Sequence, residues 1–183
     1  AKDREQLSVV IGNCITLSAI VSVITMIIGA LITRPMLELL STPASIIDWC
    51  ADYLMIYFLG IAGFAYYNIL SGVLRGMGDS LSALGFLLVA AALNVGLDLW
   101  FVAGLGMGVA GVALATVLAQ TISAILCLWK LLRMRDVFDL TLHYLKPCSA
   151  PIANIIRIGV PSGITQAIFS VAMLVVQSLT NSF

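Results

Sequence analysis

Three polar side chains stand out because they lie within long apolar stretches. Asn94 and Asp98 are four residues apart, and Thr116 follows 18 residues after Asp98. Residues four apart share one face of a helix, so Asn94 and Asp98 are expected to point the same way. Carboxylate, amide and hydroxyl oxygens are the hard donors that alkali and alkaline-earth cations prefer. A carboxylate away from water can also exchange a proton for a cation. The three residues therefore predict a proton site or a cation site, with Na⁺ as a candidate.

A helical hairpin is the element that must position these side chains. Met107 lies in a glycine-rich stretch, midway between Asp98 and Thr116. A turn centred there would place both residues about 13 Å along their helices, at ~1.5 Å of rise per residue. Two antiparallel helices would then bring the acid, the amide and the hydroxyl to one depth. The plainer alternative is that Asp98 hydrogen-bonds its neighbours near the outer interface, beside Trp100.

The composition indicates a membrane protein. Hydrophobic residues make up 61% of the chain and charged residues 10%, against about 45–50% and about 25% in soluble domains. The formal net charge is zero, so no basic surface suggests nucleic acid as a partner. The four cysteines form no pattern with each other or with His, so no Cys/His metal site is expected. We expect the chain to be a piece of a longer protein.

Five apolar stretches are long enough to cross a bilayer as helices of about 20 residues. None of them alternates with period two, so the predicted fold class is all-α, a polytopic helical membrane protein. The fifth stretch is interrupted at 159–163, where Pro161 is predicted to kink the helix. Residues 1–6 are predicted to be a loop. The predicted spans are 7–32, 51–74, 81–103, 109–132 and 154–179.

The basic residues predict the orientation of the spans. Eight of the nine Lys and Arg residues lie in or beside the stretches 1–6, 75–80 and 133–157, and only Arg34 lies on the other side. Cytoplasmic loops of membrane proteins are enriched in Lys and Arg. The predicted location is therefore a plasma or inner membrane, crossed several times, with the start of the chain in the cytoplasm.

Four further residues are candidates for a cavity or a gate. Gln120 lies one turn beyond Thr116 and could line the same cavity or bridge two helices. Arg75 and Asp79 flank a short glycine loop between two spans. That loop is either a capped turn with a local ion pair or a hinge that acts as a gate latch. Pro161 marks either a moving helix or a static kink.

Several of these stretches resemble the multidrug and toxic compound extrusion (MATE) family of secondary transporters. The similar residues are Leu-Arg-Gly at 74–76 with Gly-Asp at 78–79, then Asn94 and Asp98. The stretch Gly-Val-Ala-Gly-Val-Ala at 108–113, with Ala-Thr at 115–116 and Gln120, continues the match. Gly-Val-Pro at 159–161 resembles the opening of the family's second lobe.

The resemblance implies a fold of twelve helices in two six-helix lobes. The five spans would be the third to seventh helices. Residues 1–132 would then hold helices three to six of the N-lobe, and 133–153 would be a cytoplasmic connection between lobes. Residues 154–183 would be the truncated first helix of the C-lobe.

The resemblance also implies a cation site in the N-lobe. In the family this site has an Asn and an Asp on the fifth helix, a Thr on the sixth and an Asp on the first. Asn94, Asp98 and Thr116 match the first three of these residues. The first-helix Asp lies outside this sequence.

The implied function is secondary active efflux of organic compounds, with cations as the expected class, in exchange for Na⁺ or H⁺. Alternating access of two lobes is the implied mechanism. The coupling ion is the only cofactor-like species expected. The expected partners are small organic substrates, the lipid bilayer and the remainder of the protein's own chain, and no oligomer is required.

Three functions other than efflux would require features that differ from those of this sequence. A related flippase for lipid-linked substrates would show basic residues within its cavity-facing spans, and no Lys or Arg lies in the middle of these spans. An intramembrane enzyme would need a nucleophile and a base, or metal ligands, at membrane depth. No His lies in any span, so an enzyme is not expected. A membrane scaffold would have no reason to hold Asn, Asp and Thr at one depth.

Overall fold

The protein consists of helices joined by short connections. The computed structural model describes residues 2–40, 42–134 and 144–180, so residues 135–143 of the predicted connection and the last three residues of the predicted seventh helix lie outside the described part. No strand occurs in the described part, and the predicted all-α class is confirmed. The helices are α1 (Lys2–Leu39), α2 (Ile47–Leu59), α3 (Ile61–Gly76), α4 (Ser80–Asp98), α5 (Gly108–Arg133) and α6 (Ser149–Thr180), with a π-helical segment, Leu99–Gly104, after α4.

The helices are long and apolar enough for a protein that crosses a membrane several times. Four segments qualify individually, and α2 and α3 qualify together as a bent pair, which gives up to five spans. Most of their apolar side chains face outward, as expected where lipid replaces water. The four individual segments are Arg4–Leu39, Ser80–Gly104, Gly108–Arg133 and Ser149–Met173.

The second predicted span, 51–74, corresponds to a bent pair of helices and not to one continuous helix. The structure breaks it at Gly60 into α2 and α3, whose axes differ by 46°. Gly60 ends α2 by donating its N–H to the Ile56 carbonyl at 3.0 Å, and its own carbonyl accepts from Gly63 at 3.1 Å. Sharp bends in helices are usually caused by Pro, Gly or inserted groups. Here the bend occurs at a glycine, and no proline is involved.

The first and last helices are longer than predicted. α1 begins at Lys2, within the predicted loop 1–6, and continues through Pro35 to Leu39, beyond the predicted end at residue 32. α6 begins at Ser149, five residues before its predicted start. The added residues of α1 include charged ones, such as Lys2, Arg34 and Glu38. The helices therefore extend beyond the apolar stretches that predicted them.

The predicted interruption of the last span is also wrong, because α6 is continuous through Pro161. A proline removes one backbone donor from a helix. Hydroxyl groups supply additional donors to the carbonyls of this region. Ser162 donates to the Ile158 carbonyl and Thr165 donates to the Pro161 carbonyl, both at 3.0 Å. Neither of these bonds reaches the Arg157 carbonyl, which is the acceptor that loses its i−4 donor at Pro161. The helix therefore continues with one backbone hydrogen bond fewer at this point.

α5 is the central helix and positions the candidate site. It packs against α2, α3 and α4. Its buried face consists mainly of small residues, which allow helix backbones to approach closely. The buried residues of α5 are Gly111, Ala113, Ala115, Ala119, Ser123, Ala124, Cys127 and Leu131.

Candidate functional site

α4 and α5 form an antiparallel hairpin whose register is set by contacts at three levels. The paired residues are nearly symmetric about Leu105. Two of the contacts are hydrogen bonds at 3.3 Å. The third is a close approach between Gly111 and Phe101: a Cβ added at Gly111 would lie 3.1 Å from the Cβ of Phe101. From the α3–α4 turn outward, the pairs are Phe86 with Ser123, Asn94 with Thr116, and Phe101 with Gly111.

This register differs by one helical turn from the predicted one. A turn centred on Met107 would have placed Asp98 opposite Thr116. In the structure Asn94 lies opposite Thr116, and Asp98 lies one turn nearer the connection. The π-helical segment Leu99–Gly104 lies between Asp98 and the connection. A π turn contains more residues than an α turn, so this side of the hairpin uses more residues than α5 for the same length, which agrees with the offset.

Asn94 and Thr116 are joined by a hydrogen bond with a defined direction. The Thr116 hydroxyl donates its only hydrogen to the Val112 carbonyl at 3.0 Å. It can therefore only accept from Asn94, whose Nδ2 lies 3.3 Å away. This arrangement fixes the Asn94 amide with its nitrogen toward α5. The Asn94 Oδ1 and one lone pair of the Thr116 oxygen remain available as acceptors.

Asp98 lies on the same face of α4 as Asn94 and is half-buried. Its Oδ1 is shielded from solvent and has no hydrogen-bond partner among the described residues. A buried polar atom without a partner is costly, and such atoms are rare in native proteins. The π-helical segment begins at the next residue, Leu99, and single π turns are frequent at functional sites. The Asp98 oxygen is therefore available to a proton or a cation.

Gln120 lies one turn along α5 from Thr116 and is also half-buried. Its Oε1 is a second buried acceptor without a hydrogen-bond partner in the described part of the chain. Thr116 and Gln120 both line a cavity of about 10 Å³ beside Gly60, at the α2–α3 break. A space of this size is at the lower limit for one water molecule. The structure thus places Gln120 beside Thr116 and beside the helix break.

Asp79 begins α4 and does not pair with Arg75. The Asp79 Oδ1 accepts from the Ser82 backbone N–H at 3.0 Å, which is a standard helix cap. The Asp79 Oδ2 lies 3.4 Å from the Lys130 Nζ, near the end of α5. Arg75 is exposed. The turn is therefore capped, as one alternative predicted, but its ion pair reaches across to α5.

The pKa of Asp79 lies below its ordinary value because Ser82 hydrogen-bonds the carboxylate and Lys130 lies nearby. Ionised Asp79 therefore stabilises the fold above its ordinary pKa near 3.8, and this stabilisation is lost as the pH falls through the lowered folded-state value.

In full-length protein at pH 7 we expect Asp79→Asn, which keeps a cap, to melt slightly below wild type, and Asp79→Ala to melt lower still. Melting curves followed by tryptophan fluorescence at pH 7 and at a series of pH values falling from 3.8 would check this. A wild-type advantage over Asp79→Asn that does not shrink along this series would contradict it.

Pro161 is not brought to this site. It lies on α6, where nearly every described side chain is exposed. Within the described part of the chain α6 packs against α1 and makes no helix packing contact with α4 or α5. Arg75 and Asp79 are likewise at the far end of the hairpin from Asp98. Among the described residues, Asn94 and Thr116 are joined directly, Asp98 lies one turn along α4 from Asn94, and Gln120 lies one turn along α5 from Thr116.

The chemistry available here is that of oxygen donors. One carboxylate, one amide oxygen and one hydroxyl fit a proton or a hard monovalent cation. Among the described residues no three His, Cys, Asp or Glu side chains are grouped as for a metal ion. A cation at this place would therefore depend on one charge and several neutral oxygens. Such a ligand set favours exchange with protons and readily reversible binding.

Sequence reasoning missed the part of the site that comes from the helix break. A Cβ added at Gly60 would clash with both methyl groups of Val117, and one at Gly63 would clash with the Thr121 hydroxyl. These two glycines let the α2–α3 break lie directly on α5. The available signal was the Gly60–Gly63 spacing in the middle of a predicted span. Nothing in the sequence pattern indicated the π-helical segment.

Comparison with known proteins gives consistent relatives. The probable multidrug resistance protein YpnP of Bacillus subtilis (strain 168) is 33% identical over 85% of this chain and 34% of its own length. The probable multidrug resistance protein YoeA of the same organism is 31% identical over 100% of this chain and 41% of its own length. The chain therefore spans well under half the length of these relatives.

Solved structures share the fold. A structure described as the outward-facing conformation of a multidrug resistance MATE family transporter of the MOP superfamily aligns with a TM-score of 0.87 and 28% identity. The alignment covers 94% of this chain and 39% of that one. The corresponding inward-facing conformation aligns with a TM-score of 0.79 at 24% identity, over 91% of this chain and 44% of that one. The family model MatE matches residues 1–100, more than half of the sequence. The chain therefore belongs to the MatE family of membrane transporters.

Proposed function

We propose that the whole protein is a secondary active antiporter that exports organic cations in exchange for Na⁺ or H⁺. Family membership and the names of the relatives support multidrug efflux. The observation that carries the coupling part of the proposal is the arrangement of Asn94, Asp98 and Thr116. Their oxygens are grouped on one hairpin, and one Asp98 oxygen is buried without a hydrogen-bond partner in the described chain.

The three residues have separate roles in the proposed exchange. Asp98 carries the charge that the coupling ion neutralises. Asn94 and Thr116 contribute neutral oxygens, and their mutual hydrogen bond holds α4 and α5 at a fixed spacing. Three oxygens do not complete the shell of a cation, which commonly has six or more oxygen ligands when hard. We therefore infer that water or a segment beyond this sequence supplies the remainder.

A proton and Na⁺ would compete for the same carboxylate. When Asp98 is protonated its charge is cancelled, so a cation loses its main ligand. When Asp98 is ionised, a cation can bind, and the buried charge is compensated. Binding of either ion would stabilise the same arrangement of the hairpin, and release would leave an uncompensated charge. This difference is what couples the ion to a change between two conformations.

The proposed topology follows from the distribution of basic residues. The start of the chain and the turn at Arg75–Asp79 lie on the cytoplasmic side of the cell membrane. The four N-lobe spans then comprise α1, the bent pair α2–α3, α4 with its π-helical segment, and α5. Helix α6 opens the second lobe. Lys130 and Arg133 end α5 on the same side as the start of α1, in agreement with a positive cytoplasmic face.

Transport in vesicles tests this proposal. The full-length protein is reconstituted and loaded with a fluorescent organic cation, and an inward gradient of Na⁺ or of H⁺ is imposed. We expect one of the gradients to drive efflux of the dye against its own gradient. A fluorescent lipid-linked substrate added to parallel vesicles tests the alternative of a flippase. Scrambling of that lipid, with no ion-driven movement of the dye, would overturn the proposal in favour of the alternative.

A further inference from the structure

The segment that leads into α6 is fastened to the side of α1. The backbone N–H of Cys148, just before α6, donates to the Oδ1 of Asn13 at 2.7 Å. The Thr16 hydroxyl donates to the Leu145 carbonyl at 2.7 Å, which is closer than the carbonyl of its own helix at 3.1 Å. Two side chains one turn apart on α1 thus hold two backbone groups of the approaching chain.

Both ends of the Asn13 amide are hydrogen-bonded in this arrangement. Its Nδ2 donates to the Val9 carbonyl at 2.8 Å while its Oδ1 accepts from Cys148. The residue is 0% exposed. A buried amide is tolerated when both of its ends are hydrogen-bonded. Both ends are satisfied here only because the chain before α6 lies against α1.

Gly12 provides the space for this approach. A Cβ added there would clash with the carbonyl group of Tyr144. Gly12 lies in the middle of a helix, where glycine is about 1 kcal/mol less favourable than alanine. No positive φ explains it, because α1 is regular helix at this point. The close contact with Tyr144, in the segment 144–148, explains why position 12 has no side chain.

The fastened segment is short and stiff, and it ends where α6 begins. Pro147 restricts its own backbone and that of the residue before it. Cys148 then lies directly before the first residue of α6. Within the described part of the chain α6 packs against α1 only. The direction of α6 is therefore set by α1 and by the hydrogen bonds of Asn13 and Thr16.

We propose that Gly12, Asn13 and Thr16 form a clamp that fixes the start of α6 to α1, with Asn13 as its main positioning residue. The clamp makes the entry to α6 a rigid joint instead of a free linker. Only the consequence for transport rests on the proposed function. If α6 opens the second lobe, movement between lobes must bend α6 beyond the clamp or bend other helices, because the entry point cannot slide along α1.

Distance measurements in the full-length protein test the clamp directly. Spin labels are placed at Gln6 on α1 and Ser162 on α6, both exposed, in a version whose native cysteines are replaced by serine. The backbone N–H at position 148 is unaffected by that replacement. We expect a narrow distance distribution in the parent protein. Asn13→Leu and Gly12→Val should each broaden it and add a second population, because the segment 144–148 is released.

Two variants serve as controls for this measurement. Asn13→Asp in its neutral form retains an oxygen that can accept from the Cys148 N–H and has an O–H that can donate to the Val9 carbonyl, so it should keep the narrow distribution. Asn68→Leu is the matched control, since Asn68 also donates to the carbonyl four residues earlier at 2.8 Å but is exposed on α3. It should leave the distribution unchanged. A narrow distribution in Asn13→Leu, or equal broadening in Asn68→Leu, would overturn the clamp.

Transport gives an independent readout of the positioning role. Loss of one hydrogen bond of ordinary strength corresponds to about a fivefold change in rate. We expect Asn13→Leu to lower maximal dye exchange by about this factor with little change in KM, and Asn13→Asp to restore it. Broadened distances with undiminished exchange would overturn the role in transport. An inactive parent protein would overturn the proposed function, whereas the distance measurement would still report on the clamp.

Discussion

Ion-driven exchange is expected to be lost in Asp98→Asn, while the protein still folds and inserts into the membrane. The substitution keeps the shape of the side chain and removes its charge. Asp98 is the one acid among the described residues with a buried side-chain oxygen, Oδ1, that lacks a hydrogen-bond partner there. A neutral amide cannot exchange a proton for a cation. The measurement is dye efflux from vesicles under a Na⁺ or H⁺ gradient, with the full-length protein.

The neutral partners should matter less than Asp98. Asn94→Ala and Thr116→Ala each remove the hydrogen bond between α4 and α5, worth about 1 kcal/mol. This corresponds to roughly a fivefold loss in ion affinity. Each substitution removes one oxygen of the proposed site, but both remove the same hydrogen bond, so the double variant should lose more than either single variant and less than their sum. A double variant no weaker than the single ones would indicate that the two oxygens do not act on the ion themselves.

The control for Asp98 is another acid on the same chain. Glu38 lies in α1 and is exposed, and among the described residues α1 does not pack against α4 or α5, so Glu38→Gln removes one charge without touching the hairpin. We expect its exchange to match wild type. Undiminished exchange in Asp98→Asn would show that the coupling ion binds elsewhere. In that case the hairpin would serve helix packing alone.

Only some contacts of the α4–α5 hairpin could be predicted from the sequence. The four-residue spacing correctly places Asn94 and Asp98 on one face of a helix, since that depends on the helical repeat alone. The partner across the hairpin depends on where the chain turns. It also depends on how many residues each side uses for the same length. The π-helical segment Leu99–Gly104 adds residues on the α4 side, and Thr116 meets Asn94 and lies a turn away from the level of Asp98. Local hydrophobicity does not distinguish a π turn from an α turn.

The helix ends and bends could be predicted only in part. The apolar stretches correctly give the number and order of the spans, because each must bury about one bilayer thickness of helix. The break at Gly60 was not predicted, and the continuity at Pro161 is opposite to the predicted interruption. At Gly60 the missing side chain lets the break lie directly on Val117 of α5, whereas at Pro161 the helix continues although the proline supplies no backbone donor. These outcomes depend on neighbours in space, which a linear pattern does not contain.

Gly60→Ala is expected to have the second large effect, on both stability and exchange. A Cβ at this position would clash with both methyl groups of Val117, so the α2–α3 break must move away from α5. Overpacking of this kind costs about 1–3 kcal/mol. Val117 directly follows Thr116, so the same movement would disturb the Asn94–Thr116 hydrogen bond. We expect a lower melting temperature in detergent and slower ion-driven efflux in vesicles.

Two comparisons separate this steric effect from the ordinary effect of replacing a glycine in a helix. Gly85 lies in α4 with no atom near its missing Cβ, so Gly85→Ala should be neutral or stabilising by up to about 1 kcal/mol. Val117→Ala makes room for the new methyl group. The double variant Gly60→Ala with Val117→Ala should therefore be more stable than the sum of the single changes predicts. Strict additivity would show that the two residues do not compete for the same space, and the contact between the α2–α3 break and α5 would then not be what holds Thr116 in place.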